Sequence, residues 1–291
     1  MQEVLQYLFS GITNGAIYAI IALGFSILFN ATELINFAHG EFVMLGALCL
    51  VTFWSGLHLP LPLALVLSMA AVGGVGWLFQ RVAIHPVRRP DHIVLVIITV
   101  GASIFFRGVG MLVWGKDAHA VPAFTPLASL EVAGAVLTSQ SLVIVATAAL
   151  LALGLHLFFR RTLTGKAMEA CAISRRAAWL TGIPAQRMIL LAFVLSTVIG
   201  GLAGLIIAPV TMSSYDMGTV LGLKGFCAAM LGGLGSLWGA VLGGLLLGVL
   251  ESLSVGLINS GLKDATAFVL LLAILYVRPS GLLGNRSVQR F

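Results

Sequence analysis

Polar residues are sparse enough in this chain that its apolar runs can be marked directly: 5–29, 42–57, 61–84, 93–114, 142–159, 188–208, 221–234, 238–257 and 265–277. A helix needs roughly 20 residues to cross a bilayer squarely, so the longer runs predict spanning helices and the shorter ones tilted, paired or re-entrant segments. Roughly eight to ten membrane helices are expected on that measure. The N-terminus carries Glu3 and no basic residue ahead of the first run, and no small-residue cleavage site interrupts that run. It therefore predicts a retained helix rather than a signal peptide.

One interruption differs from the rest. Residues 160–187, RRTLTGKAMEACAISRRAAWLTGIPAQR, set six basic side chains against Glu169 and so carry +5 of the chain's net +6. A basic loop between apolar runs marks the cytoplasmic side. The same rule places Arg88 and Arg89, and the C-terminal Arg278, Arg286 and Arg290, inside. If all nine runs cross, a chain that starts outside satisfies all three regions and leaves 115–141 outside, as a connector or a surface for an external partner. Within the basic loop the pattern predicts a helix over 166–173, an N-cap at Ser174, a second helix over 175–181, and a stop at Gly182 and Pro184. Small residues (Ala167, Ala170, Ala177, Ala178) among the charges fit a surface offered to another protein; the alternative is a plain basic loop that holds topology.

Composition narrows the class. With 59% hydrophobic and 9% charged residues and a mean hydropathy of +1.08, the chain lies far from soluble domains, of which about a quarter is charged. No polar stretch is long enough to fold separately, so residues 1–291 read as a single membrane domain with 160–187 as its cytoplasmic loop. The basic excess sits in loops flanking apolar runs, where topology accounts for it, and no nucleic-acid partner is expected.

Candidate chemistry is confined to a few places. Between the first two runs Glu33, Asn36, His39 and Glu41 crowd together. Each charge costs about 2.5–3.5 kcal/mol if it lies within the membrane, so the group either lines a polar pathway or forms an interfacial turn capping two helices. Asn14, Asn36, His39 and Glu41 are the pathway candidates. Eleven glycines lie between 218 and 256. The four-residue spacings at Gly235, Gly239 and Gly243, and at Gly244 and Gly248, predict close helix packing. The cluster Gly232, Gly233 and Gly235 can also break a helix. Cys49, Cys171 and Cys227 are far apart and read as small packing residues. No metal site is expected, and no GxxxxGK[ST], HExxH or GxSxG occurs, so nucleotide binding by a phosphate loop and two common hydrolytic chemistries have no support.

Four stretches, in order, resemble one family: INFAHGEFVMLGA (35–47), TGKAMEACAISRRAAWLTGI (164–183), MLGGLGSLWGAVLGGLLLG (230–248) and VRPSGLLG (277–284). They resemble the permease subunits of branched-chain amino acid ABC importers, most of all the H-type membrane subunit, and span nearly the whole chain. The resemblance implies an all-α polytopic membrane protein of type II-like importer architecture, multi-pass in the bacterial cytoplasmic (inner) membrane with its C-terminus inside. It implies that 160–187 couples to an ATPase, with Glu169, Arg175, Arg176, Leu180 and Gly182 as contact candidates. The wider importer motif of Glu-Ala-Ala and a later Gly is replaced here by Glu169, Ala170, Cys171 and Arg175. It further implies a second, similar permease subunit, two ATPase subunits that hold ATP and Mg, a soluble binding protein that delivers substrate, and no cofactor in this chain. Against this stand two other classes: an ion-coupled secondary transporter using Glu41, Arg107 and Glu251, and an intramembrane enzyme built on His39 and Glu41.

Overall fold

With no water to bond in a bilayer, an apolar run must close its backbone hydrogen bonds within itself, and all nine runs do so as helices. The structure, a computed structural model, describes residues 2–87, 92–124, 130–132, 134–259, 261 and 263–284. In chain order come α1 (Gln2–Thr32), α2 (His39–Leu50) with a π-helical extension (Val51–Gly56), α3 (Leu61–Phe79) with another (Gln80–Ile84), and α4 (His92–Trp114). After β1 (Leu130–Val132) and β2 (Ala135–Leu137) follow α5 (Ser139–Arg161), α6 (Leu163–Ile173), α7 (Arg175–Leu180), α8 (Ala185–Ile207), α9 (Met217–Gly232), α10 (Leu237–Leu257) and α11 (Lys263–Val277). Among the described residues six helices, α1, α3 with its extension, α4, α5, α8 and α10, are long and apolar enough to cross a membrane; α2, α9 and α11 are shorter.

The segment 115–141, open between a connector and a surface for an external partner, contains a small antiparallel hairpin, with Leu130 opposite Leu137 and Val132 opposite Ala135. Its β2 edge is closed by a side chain. The Gln6 amide donates to the Val136 carbonyl at 3.2 Å and accepts from the Val136 N–H at 2.8 Å, as a neighbouring strand would.

The chain forms two compact units, each discontinuous in sequence: Met1–Ser26, Ala123–Ala152 and Leu223–Phe291 in the first, Ile27–Pro122 and Leu153–Gly222 in the second. The first is built on α10, which is flanked by small residues on two faces. A Cβ on Gly239 or Gly243 would fall on backbone atoms of Gly232 and Ala228 in α9, and one on Gly244 or Gly248 on those of Ala19 and Gly15 in α1. Lipid gives helices no hydrophobic drive to associate, so contact comes from such close backbone approach. Gly235 departs from the packing expected of it. With φ of +87°, and Gly233 at +101°, it forms the turn between α9 and α10, a conformation that L side chains rarely adopt. The C-terminal segment seals that turn, Leu282 N–H donating to Leu231 O and Leu283 N–H to Gly232 O, both at 2.9 Å.

The second unit centres on four aromatic rings from four helices. Phe42 (α2), Phe79 (α3) and Phe106 (α4) meet with centroids 5.5–6.4 Å apart, and Phe193 (α8) lies 5.6 Å from Phe79, all tilted or edge-on as ring quadrupoles prefer. Here too glycines set the helix spacing: Gly204 abuts Val43, Gly46 abuts Gly201, and Gly76 abuts Thr197. Segments that the alternation of crossings assigns to one side are found together. His119 and Ser213 exchange backbone hydrogen bonds of 2.9 and 2.8 Å, and Arg175 reaches Thr32. Arg88, Arg89, Arg286 and Arg290 lie outside the described residues.

Gly243→Leu drives a branched side chain into Ala228 and Gly232 and should destabilise the first unit by about 1–3 kcal/mol or more. Leu242→Ala, on the exposed side of the same helix, serves as the control. Thermal unfolding in detergent, followed by size-exclusion chromatography, should show a clear loss for the first and little change for the second.

Candidate functional site

The basic interruption folds as capped helices. Thr162 accepts from the Gly165 N–H at 3.0 Å and so starts α6 earlier than the sequence pattern alone suggests, while Ser174 accepts from the Ala177 N–H at 3.2 Å and starts α7 where expected. The two helices have 11 and 6 residues rather than two similar lengths. Gly182, with φ of +85°, ends the second by a left-handed turn. Buried Gly165, Met168, Cys171 and Ala178 hold the pair down. Burial pushes the Cys171 thiol up against the opposing pull of Arg175, which fits a packing role.

What the element leaves exposed is mixed. Glu169, Arg175, Arg176 and Gly182 are exposed. So are four large apolar side chains: Leu163 (87%), Ile173 (88%), Trp179 (69%) and Leu180 (73%). Of these, Leu180 was singled out in the sequence as a contact candidate. Trp179 and Ile173 were not singled out, although a tryptophan between two cationic caps and a helix stop was the available signal. Arg175 behaves differently from its neighbour: its Nη2 donates to the Thr32 carbonyl at 2.7 Å. Two cavities adjoin this bond. One of about 290 Å³ is lined by Thr32, Glu33, His92, Leu95, Ile173 and Arg175 among others. The second, about 130 Å³, is lined by Thr32, Gln80, His85, Leu95, Arg175 and Gln186 among others.

Of the pathway candidates, Asn36, His39 and Glu41 belong to the second unit and are 1% exposed or less. Asn36 Oδ1 accepts from the Ala38 N–H at 3.0 Å, a local turn that leads into α2. His39 Nδ1 lies 3.3 Å from Ser196 Oγ of α8. Glu41 Oε1 accepts from Ser103 at 2.9 Å and from Thr219 at 3.2 Å, and Thr219 Oγ1 in turn accepts from Arg107 Nη1 at 3.3 Å. Arg107, Thr219, Glu41 and Ser103 thus form one chain of hydrogen bonds joining α2, α4 and the start of α9. Neither cavity described above is lined by these residues; in this conformation they tie helices together. Asn14, in the first unit, is partly exposed on α1.

The first unit holds a charged cluster that the apolar run 221–234 conceals. Lys224 of α9 donates to Glu251 Oε1 of α10 at 2.9 Å and to Asp264 at the start of α11 at 2.8 Å. Tyr18 of α1 donates to the same Glu251 oxygen at 3.2 Å, and Lys224 Nζ sits 5.8 Å from the centre of its ring. Lys224 and Glu251 are 5% and 1% exposed. Glu251 therefore pairs with Lys224, a residue the sequence reading passed over, since a single lysine barely alters the hydropathy of a run. Among the described residues no group of His, Cys, Asp and Glu is placed to hold a metal ion.

Among the described residues, nine apolar helices with glycine-spaced contacts and an internally paired buried charge make up a multi-pass, all-α membrane protein. Residues 7–277 match the family described as branched-chain amino acid transport system / permease component, and the chain belongs to it. It is 34% identical to the high-affinity branched-chain amino acid transport system permease protein LivH of Salmonella typhimurium, over 98% of this chain and 97% of that protein. LivH of Escherichia coli is likewise 34% identical over the same shares. BraD of Pseudomonas aeruginosa, another permease protein of that description, is 33% identical, again over 98% and 97%.

Removing one member of the buried pair strands the other charge, which costs about 3–5 kcal/mol, whereas replacing both by apolar groups is close to neutral. Lys224→Met should therefore destabilise the protein more than the double variant Lys224→Met, Glu251→Leu. Thermal unfolding of the two variants beside the parent protein checks the order.

Proposed function

We propose that the chain is the membrane-spanning permease subunit of an ATP-driven importer of branched-chain amino acids, multi-pass in the cytoplasmic (inner) membrane. The full-length likeness to LivH and BraD, at 33–34% identity, carries the substrate class. The exposed, capped pair α6–α7 carries the mode of energy supply. Four large apolar side chains exposed along α6–α7 on a strongly basic segment suit a protein cleft, and an aromatic anchor flanked by charge is the usual centre of such an interface. Residues 160–187 are read as the coupling element that docks into an ATPase subunit. Trp179 and Leu180 are its anchors, Glu169 and Arg176 its rim, and Gly182 the turn that ends it.

In this reading ATP and Mg are held by two ATPase subunits, a second, similar permease completes the membrane part, and a soluble binding protein delivers the amino acid from outside. Closure of the ATPases displaces α6–α7, and the displacement shifts the bundle between outward-open and inward-open states. Substrate biases that equilibrium only through different affinities for the two states. Tight binding within the permease is unnecessary when the binding protein selects the cargo. Buried His39 and Glu41 then hold helices together in one state, and with Asn36 and Asn14 they reach the pathway as the helices move.

The test uses the assembled complex in proteoliposomes. ATP-dependent uptake of labelled leucine, competed by isoleucine and valine but not by urea or benzoate, is the expected result. Uptake by this chain alone on an ion gradient would sink the proposal. Leu180→Asp should cost the interface more than about 1 kcal/mol and lower co-purification of the ATPase; full co-purification in a Leu180→Asp, Arg176→Asp variant would remove α7 from the interface. Topology has its own readout. Single cysteines in place of Ala123 and Arg176, in a background lacking Cys49, Cys171 and Cys227, should label from opposite sides of the membrane.

A further inference from the structure

Arg175 occupies an unfavourable position by the rules of its own helix. It is the first residue of α7, followed by Arg176, and the start of a helix carries partial positive charge that favours acids and disfavours cations. Ser174 caps that helix without help from the arginine. The guanidinium serves a different helix. It donates at 2.7 Å to the carbonyl of Thr32, the last residue of α1. That carbonyl belongs to the final turn, whose acceptors have no intrahelical donor and where a cation is electrostatically favoured.

The neighbouring groups at the end of α1 are already engaged with one another. Thr32 Oγ1 donates to Leu28 O at 2.7 Å and accepts from the Leu34 N–H at 3.1 Å. Glu33 donates its N–H to Phe29 O at 2.7 Å and turns the chain through a left-handed conformation, φ +56°, that is uncommon for a residue other than glycine. Thr32 itself is only 8% exposed. If α6–α7 moved and α1 did not, a nearly buried carbonyl would lose its charged donor and an arginine its acceptor. The bond thus couples the element to the end of α1, and the two cavities beside it leave the guanidinium room to swing. α1 is also the helix whose residues up to Ser26 belong to the first compact unit and whose remainder belongs to the second.

We infer that Arg175 is a positioning residue that transmits motion of the coupling element to α1, rather than a contact with the ATPase. This rests on the reading of residues 160–187 as the coupling element. Docking and transmission are then separable: Trp179 and Leu180 hold the ATPase, and Arg175 passes the displacement on.

The experiment compares Arg175→Gln, Arg175→Lys and Leu180→Asp in the complete importer reconstituted with its binding protein and leucine. Arg175→Gln should co-purify the ATPase at the parent level, while leucine- and binding-protein-stimulated hydrolysis and uptake fall about tenfold, the size expected for losing one hydrogen bond from a charged donor. The fall should lie in the maximal rate and leave the leucine concentration at half-maximum unchanged. Arg175→Lys keeps a donor and should recover part of the rate. Leu180→Asp should show the reverse pattern, with co-purification lost first. Arg175→Gln that loses co-purification would make Arg175 a docking contact, and Arg175→Gln with full stimulated uptake would leave it without a role in transport; either overturns the inference. Normal co-purification and uptake in Leu180→Asp would instead count against the docking reading of α7.

Discussion

Close approach of helix backbones is the condition on which this structure rests. In water a helix pair is held by removing apolar surface from solvent, but in lipid that gain is absent and only packing, hydrogen bonds and lipid entropy remain. The chain meets the condition with glycines placed where two backbones touch: Gly239 and Gly243 toward α9, Gly244 and Gly248 toward α1, Gly46 and Gly204 between α2 and α8. The Phe42, Phe79, Phe106 and Phe193 rings fill the space in the second unit that such contacts leave.

Polar groups within the helices serve a second purpose. Lys224 with Glu251, and the line Arg107, Thr219, Glu41 and Ser103, are costly to bury and are each neutralised or hydrogen-bonded by residues of other helices. Interactions of this kind add little net stability over an apolar core, and their value lies in specifying which helix faces which. They also bear on the ion-coupled alternative. Glu41, Arg107 and Glu251 are all engaged with protein partners in this conformation, two of them through Thr219.

Much of this was legible beforehand, for reasons that differ by feature. Helix positions followed from hydropathy, because a bilayer allows an apolar run few other conformations. Ser174 as a cap and Gly182 as a stop followed from local backbone chemistry, which needs no tertiary context. Lys224 was hidden because one charge in a long apolar run leaves the average unchanged and its partner Glu251 lies 27 residues away. The bond from Arg175 was hidden likewise: sequence shows a cation at a helix start but not the carbonyl 143 residues away that receives it. Gly235 shared the spacing of its packing neighbours and was separated from them only by a positive φ.

The two glycine faces of α10 leave it one open side, a stripe of Trp238, Leu242 and Leu246 at four-residue spacing with 39–48% of each exposed. That asymmetry assigns the helix two unequal kinds of evolutionary freedom. On the glycine faces any added carbon meets a backbone, so volume itself is under selection. On the open stripe any bulky apolar residue satisfies the surroundings, so identity can drift while hydropathy is kept.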